Sequence, residues 1–195
     1  MTLRTIDQAF VDELEHLGYF RFVAGGEAAE ARQEILARRY PLAGEAGRLF
    51  MADAEVLANR GVRDLVESVA PFLRREGVSI EVEHGPAGTT TALKLSLEPG
   101  GPLVPFEETV DDDYRVKLGL VEIVVWTGDG GNAWNDATAQ TVALLNRLLS
   151  SHGSFERAWS LHGGGNEGFI VFATVEQVHL LNSALPERGK LSLGA

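Results

Sequence analysis

Gly128, Gly130 and Ala133 fit the pattern G-x-G-x-x-A. That spacing lets backbone N–H groups approach a dinucleotide pyrophosphate at a helix N-terminus. An apolar, β-branched stretch precedes the glycines and a helical pattern follows, so the local context suits. Three features favour a structural turn instead. Asp129 sets a negative charge between the two key glycines. Trp134 is bulky where a helix start must pack closely on its strand. Glu156, the next acid that could meet a ribose, begins a strand that enters a hairpin and does not end a parallel crossover. The expected element is a strand-to-helix turn capped by Asn132 or Asn135, with no cofactor.

His162 to Gly165 reads H-G-G-G, which resembles the oxyanion loop of lipase-like hydrolases. That loop works beside a serine on a G-x-S-x-G elbow, and the chain has no such elbow. Ser151 and Ser154 flank His152 and Gly153 without that pattern. His162, Gly163, Gly164 and Asn166 are therefore expected at a hairpin tip whose bare backbone groups can serve recognition. E-x-x-H occurs as Glu13/His16 and Glu176/His179, each pair on one helical face. A di-iron site would need both pairs and further glutamates inside a four-helix bundle, and this chain has too many strands for one. No metal is expected. Glu107, Glu108, Asp111, Asp112 and Asp113 form a dense acidic run without the spacing of a calcium loop. Its two readings are a solvated linker and a docking strip for a lysine- or arginine-rich partner. Trp134, at a loop-to-helix junction, is either an interface anchor or a staple over the helix start.

The composition narrows these options. The chain has 195 residues, a net charge of −11 and no cysteine. Thiolate catalysis and cysteine zinc sites are excluded. The acidic field repels phosphate backbones and anionic membranes, and attracts a basic protein. The first twenty residues are amphipathic and unlike a signal peptide. No apolar run approaches the length of a membrane span. A soluble, cytoplasmic protein is expected.

These residues must be positioned by alternating helices and strands. Thr5 to Gln8 reads as a capping box, with Ile6, Phe10, Leu14 and Leu17 on one helical face. Tyr19–Val23 has strand composition, and a helix is expected over 27–39. A short strand over 48–52 precedes a helix from Val62 to Gly77, which Pro71 should kink or divide. Residues 78–83 and 89–97 alternate as a hairpin. Residues 99–113 read as an exposed acidic connector, rich in proline and glycine. A long strand over 114–127, interrupted at Gly119, leads to a helix over 133–151. A second hairpin spans 155–173, and Thr174 to Gln177 caps a last helix to about Leu185. The tail after Pro186 reads as loose.

Two stretches share the order strand, helix, strand, strand, in register at an offset of 76 residues: Asp53 with Asp129, Gly77 with Gly153. Internal duplication and chance similarity of two amphipathic helices both fit. The expected fold is α+β, a mostly antiparallel sheet from two β-α-β-β units with helices packed on one face, plus N-terminal helices. As one domain it divides into an N-terminal helical segment (1–47), a first unit (48–98), the connector (99–113), a second unit (114–185) and the tail (186–195). The expected function is a non-catalytic, acidic protein-binding module, for example a bacterial immunity or inhibitor protein acting on a basic partner. The alternative is an enzyme of unrecognised type with a site near the Gly128–Asp136 loop and the His162 hairpin.

Overall fold

The computed structural model describes residues 3–84, 90–128, 132–162 and 167–193. The chain is α+β, with two antiparallel sheets. Helices α1 (Gln8–His16) and α2 (Gly25–Arg38) lead to β1 (Leu49–Met51). A helical turn, α3 (Ala54–Val56), runs through a π-type turn at Leu57–Gly61 into α4 (Val62–Arg75). Five strands follow: β2 (Ile80–His84), β3 (Thr90–Ser96), β4 (Leu103–Val110), β5 (Tyr114–Leu118) and β6 (Val121–Trp126). Then come α5 (Ala133–Ser151), β7 (Arg157–His162), β8 (Gly168–Ala173) and α6 (Val175–Ala184).

The five-stranded sheet has the order β2-β3-β4-β5-β6, and the three-stranded sheet the order β1-β8-β7. In the larger sheet Ile80, Leu93, Leu95, Phe106, Val116, Leu118 and Val125 point inward onto α4 and α5. Glu83, Lys94, Arg115, Lys117 and Glu122 line its outer face, where Lys94 pairs with Glu83 at 2.8 Å and Arg115 with Glu122 at 2.6 Å. This is the period-2 logic of a sheet with one wet face. The smaller sheet is covered on both faces. Ala158, Ile170 and Phe172 join the core with α4 and α5. Trp159, Leu161, Val171 and Ala173 join a second core built from α1, α2 and α6. The N-terminal helices thus close the far face of the smaller sheet.

Several local expectations are corrected. Asp7, not Thr5, caps α1, accepting from the Phe10 N–H at 3.1 Å. Tyr19–Val23 forms turns, because Tyr19 and Phe20 are buried against the helices instead of pairing with a strand. Helix α4 runs unbroken through Pro71. Val69, Phe72 and Leu73 are buried on its inner face, and each such side chain stabilises by roughly 1.5–3 kcal/mol. Together they outweigh the ~3 kcal/mol a mid-helix proline costs. The break falls earlier, at Asn59 and Arg60, with Arg60 at φ 71°. Gly61 makes that turn possible: a Cβ there would lie 2.6 Å from the Val56 carbonyl oxygen.

Residues 103–110, expected within a connector, are strand β4. It pairs with β3 through Leu103–Pro105 and with β5 through Phe106–Val110. Pro105, which has no N–H to donate, sits where the pairing passes from one neighbour to the other. Residues 114–126 are two strands joined at Gly119 and Leu120. The tail is held: Ser192 and Ser160 exchange backbone hydrogen bonds of 2.7 and 3.0 Å, and Leu191 is buried.

One buried ion pair joins distant segments. Arg48 and Glu156 are both fully buried, with Arg48 Nη1 donating to Glu156 Oε2 at 2.8 Å. Arg48 also donates to the carbonyls of Gly18, Tyr19 and Phe172, and lies over the Tyr19 and Phe22 rings. Arg21 reaches Glu156 Oε1 and Glu76 Oε1, both at 2.9 Å. Nothing in the spacing of residues 108 apart announces this pair.

Candidate functional site

The acidic turn, the start of the glycine loop and the N-terminus of α5 meet at one end of the five-stranded sheet. Residues 111–113 join β4 to β5, and Tyr114 pairs with Trp126 at the end of β6. The chain then reaches Gly128, whose N–H donates to Asp113 Oδ1 at 3.2 Å. A Cβ on Gly128 would lie 2.5 Å from the Asp112 carbonyl oxygen. Close approach to this turn is therefore a use for the first glycine of G-x-G-x-x-A. Asp129, Gly130 and Gly131 lie outside the described residues.

Each acidic candidate has a distinct place. Glu107 is exposed on the outer face, 3.9 Å from Lys117 across the ladder. Glu108 turns inward. Its Oε1 accepts from the Arg63 backbone N–H at 3.0 Å and from the Tyr114 hydroxyl at 2.5 Å. Helix α4 has no side-chain cap from Gly61, so Glu108 satisfies an orphan N–H from the neighbouring strand. Burial, and then the hydrogen bond to Glu108, hold the Tyr114 hydroxyl well above the ordinary tyrosine range. Asp113 bonds Arg115 at 2.7 Å. That contact, with the Gly128 N–H, holds its carboxyl below the usual range. Asp111 and Asp112 are exposed at the tip of the turn.

Trp134 is 46% exposed. It stands one turn before Thr138, whose hydroxyl bonds the Trp134 carbonyl at 3.0 Å. The fully buried residues of α5 begin at Ala137, while Ala133 is partly buried against the core. Asn132 occupies the cap position but makes no capping bond; its side chain accepts from Asn135 at 3.2 Å. The expected Asn132 cap is thus replaced by a side-chain pair. Trp126 and Trp159, by contrast, are engaged inside, donating to the carbonyls of Ala58 and Ala173 at 2.9 Å. The backbone of His162 ends β7, paired with Gly168. Gly163, Gly164 and Asn166 lie outside the described residues.

A serine–histidine contact does occur, at residues that no motif singled out. His152 Nε2 lies 3.1 Å from Ser96 Oγ, and its Nδ1 lies 2.8 Å from the Leu148 carbonyl oxygen. A carbonyl only accepts, so Nδ1 carries a proton, and in the neutral ring Ser96 donates to Nε2. Ser96 in turn accepts from the Ser79 N–H at 3.1 Å. Ser96 is fully buried, and a carbonyl stands where a triad has its carboxylate. The arrangement joins the β2–β3 hairpin to the end of α5. Glu13 pairs with Arg4 at 2.6 Å, and among the described residues no three His, Asp or Glu side chains converge as metal ligands do. No described helix is long and apolar enough to cross a membrane. Comparison with protein-family models, with curated proteins and with solved structures finds no match for this chain.

Proposed function

We propose that the chain is an acidic binding module for a basic protein partner, in the manner of a bacterial immunity or inhibitor protein, with Asp111, Asp112 and Trp134 as its contact surface. The half-exposed Trp134, at the same end of the sheet as the braced acidic turn, carries this reading. Tryptophan is enriched among residues that dominate binding energy. Exposed carboxylates steer a cationic partner towards it. Asp113 and Glu108 contribute by rigidity: their internal bonds hold the turn in one conformation, which lowers the entropic cost of binding.

The test is affinity capture from the native source, followed by titration of the purified partner. The dissociation constant should rise with salt. Asp111→Lys with Asp112→Lys should slow association. Trp134→Ala should weaken binding by about thirtyfold, equivalent to ~2 kcal/mol. Salt-independent binding, or a partner indifferent to these variants, would overturn the assignment.

A further inference from the structure

We infer that Phe155, on the turn between α5 and β7, is an interface anchor set in a cationic collar, and that its occupant is an acidic segment of a protein partner. Phe155 is 84% exposed, more than any other aromatic side chain among the described residues. Isolated exposed apolar side chains are ordinary; what sets this one apart is how firmly its neighbours are held. Gly153, at φ 73°, turns the chain out of α5, and the Ser154 N–H donates to the Leu149 carbonyl at 3.0 Å. The Ser154 hydroxyl donates to Glu76 at the end of α4 and accepts from the Glu156 N–H at 3.0 Å. Glu156 is buried against Arg48. Arg157 Nη1 donates to the carbonyls of Ser154 and Glu156, at 2.7 and 2.6 Å, one on each side of Phe155. Residues 154 and 156 are thus pinned while the ring between them stays in solvent, so covering it orders little further backbone.

The charge around the ring selects the partner. Arg21 pairs with Glu76 and Glu156, and Arg48 with Glu156. Arg75, beside Glu76, is exposed and donates to the Phe22 carbonyl at 2.7 Å. Arg75 and Arg157 donate only to carbonyls among the described residues. Four arginines therefore meet two carboxylates here, in a chain whose net charge is −11. A guanidinium bonded to a carbonyl keeps further N–H groups for a carboxylate. Phenylalanine and arginine are both enriched at interfaces. A segment that sets carboxylates around an apolar hollow complements this turn. The acidic surface elsewhere repels that segment, so the collar decides where it docks. Trp134 and Phe155 stand at opposite ends of α5, whose 19 residues span about 28 Å. The inference is therefore independent of the basic-partner assignment.

The test is selection of displayed random peptides on the full chain at low salt, followed by titration of the enriched peptides in solution. A class rich in carboxylates with an apolar residue among them should be enriched, and its dissociation constant should rise with salt. Phe155→Ala should weaken its binding about tenfold or more, and Arg75→Glu should slow its association. Asp111→Lys with Asp112→Lys should not weaken it. Phe155→Ala should leave the melting temperature unchanged, as at other surface positions; a marked fall would assign the ring to packing and overturn the inference. Absence of an acidic class, or an acidic class indifferent to Phe155→Ala and Arg75→Glu, also overturns it. So does self-association of the chain alone, or binding to phosphatidylserine vesicles, that Phe155→Ala abolishes, since the occupant would then be a second copy or a membrane.

Discussion

Replacing Arg48 by methionine should destabilise the chain more than any surface change. The side chain is fully buried and donates to Glu156 and to the carbonyls of Gly18, Tyr19 and Phe172. Methionine fills much of the volume but leaves Glu156 as a buried carboxylate whose remaining cation is the half-exposed Arg21. Breaking a buried pair in this way costs about 3–5 kcal/mol. In a chain of this size each kcal/mol shifts the melting temperature by roughly 2–4 °C, so a drop of about 6–20 °C is expected. Arg48→Met combined with Glu156→Leu removes both charges and should recover much of the loss, since hydrophobic replacement of a whole buried pair is often near neutral. The coupling from the double-mutant cycle should reach about 2 kcal/mol. Urea and thermal unfolding of the four proteins measure it. A loss below about 1 kcal/mol for Arg48→Met, or strict additivity, would refute the reasoning.

Alkaline pH should unfold the chain partly through Tyr19. Burial, opposed by Arg48 and reinforced by Glu156, pushes its hydroxyl up to about 12 from 10.0. The folded state therefore favours the neutral phenol; stability is intact below pH 10 and falls between pH 10 and 12, by about 3 kcal/mol in all. Tyr19→Phe should flatten that slope in pH-dependent denaturation. It should cost little at neutral pH, because the hydroxyl has no hydrogen-bond partner among the described residues; an unchanged slope would count against the buried phenol. Gly128→Ala should displace the acidic turn, since its Cβ would meet the Asp112 carbonyl at 2.5 Å. A cost of about 1–3 kcal/mol and faster amide exchange at residue 128 are expected, and unchanged stability would show that the contact does not constrain the turn.

Local signals were legible where one force dominated. Helix α5 matches its expected span of 133–151 because Val142, Leu145, Leu148 and Leu149 recur at helical spacing up to Gly153. Thr174 and Gln177 form the capping box their spacing implies. Strand β4 was hidden because two of its signals are inverted: Glu108 points inward to cap α4, and Pro105 stands mid-strand where pairing changes sides. Tyr19 and Phe20 looked like strand residues because aromatic content reports burial as readily as extension. At the candidate site, the sequence marks Trp134 and the acidic run but not their roles. The split between Glu108 and Asp113, which brace, and Asp111 and Asp112, which stay exposed, depends on which carboxylate meets an orphan N–H across the sheet. Ser96–His152 and Arg48–Glu156 join residues 56 and 108 apart, beyond any local pattern.

The repeated order of elements acquires a physical meaning in the pairing. Shifted by the 76 residues separating Gly77 from Gly153, α4 falls within α5, and β2 and β3 fall largely on β7 and β8. Yet the strand before each helix joins the other unit's sheet: β1 pairs with β8, and β6 belongs to the sheet containing β2 and β3. In that larger sheet β4 and β5 lie between β6 and β3; in the smaller one β1 meets β8 directly. Strands β4 and β5 thus set β6 two places further along its sheet than β1 stands in the smaller one. The turn between β4 and β5 carries Asp111 and Asp112. Strands β4 and β5 therefore distinguish the two stretches, and the acidic turn comes with them. The shared core draws Leu65, Val69 and Leu95 from one unit and Leu145, Ile170 and Phe172 from the other. Neither unit closes that core alone, so the turn is held at a fixed position by packing from both.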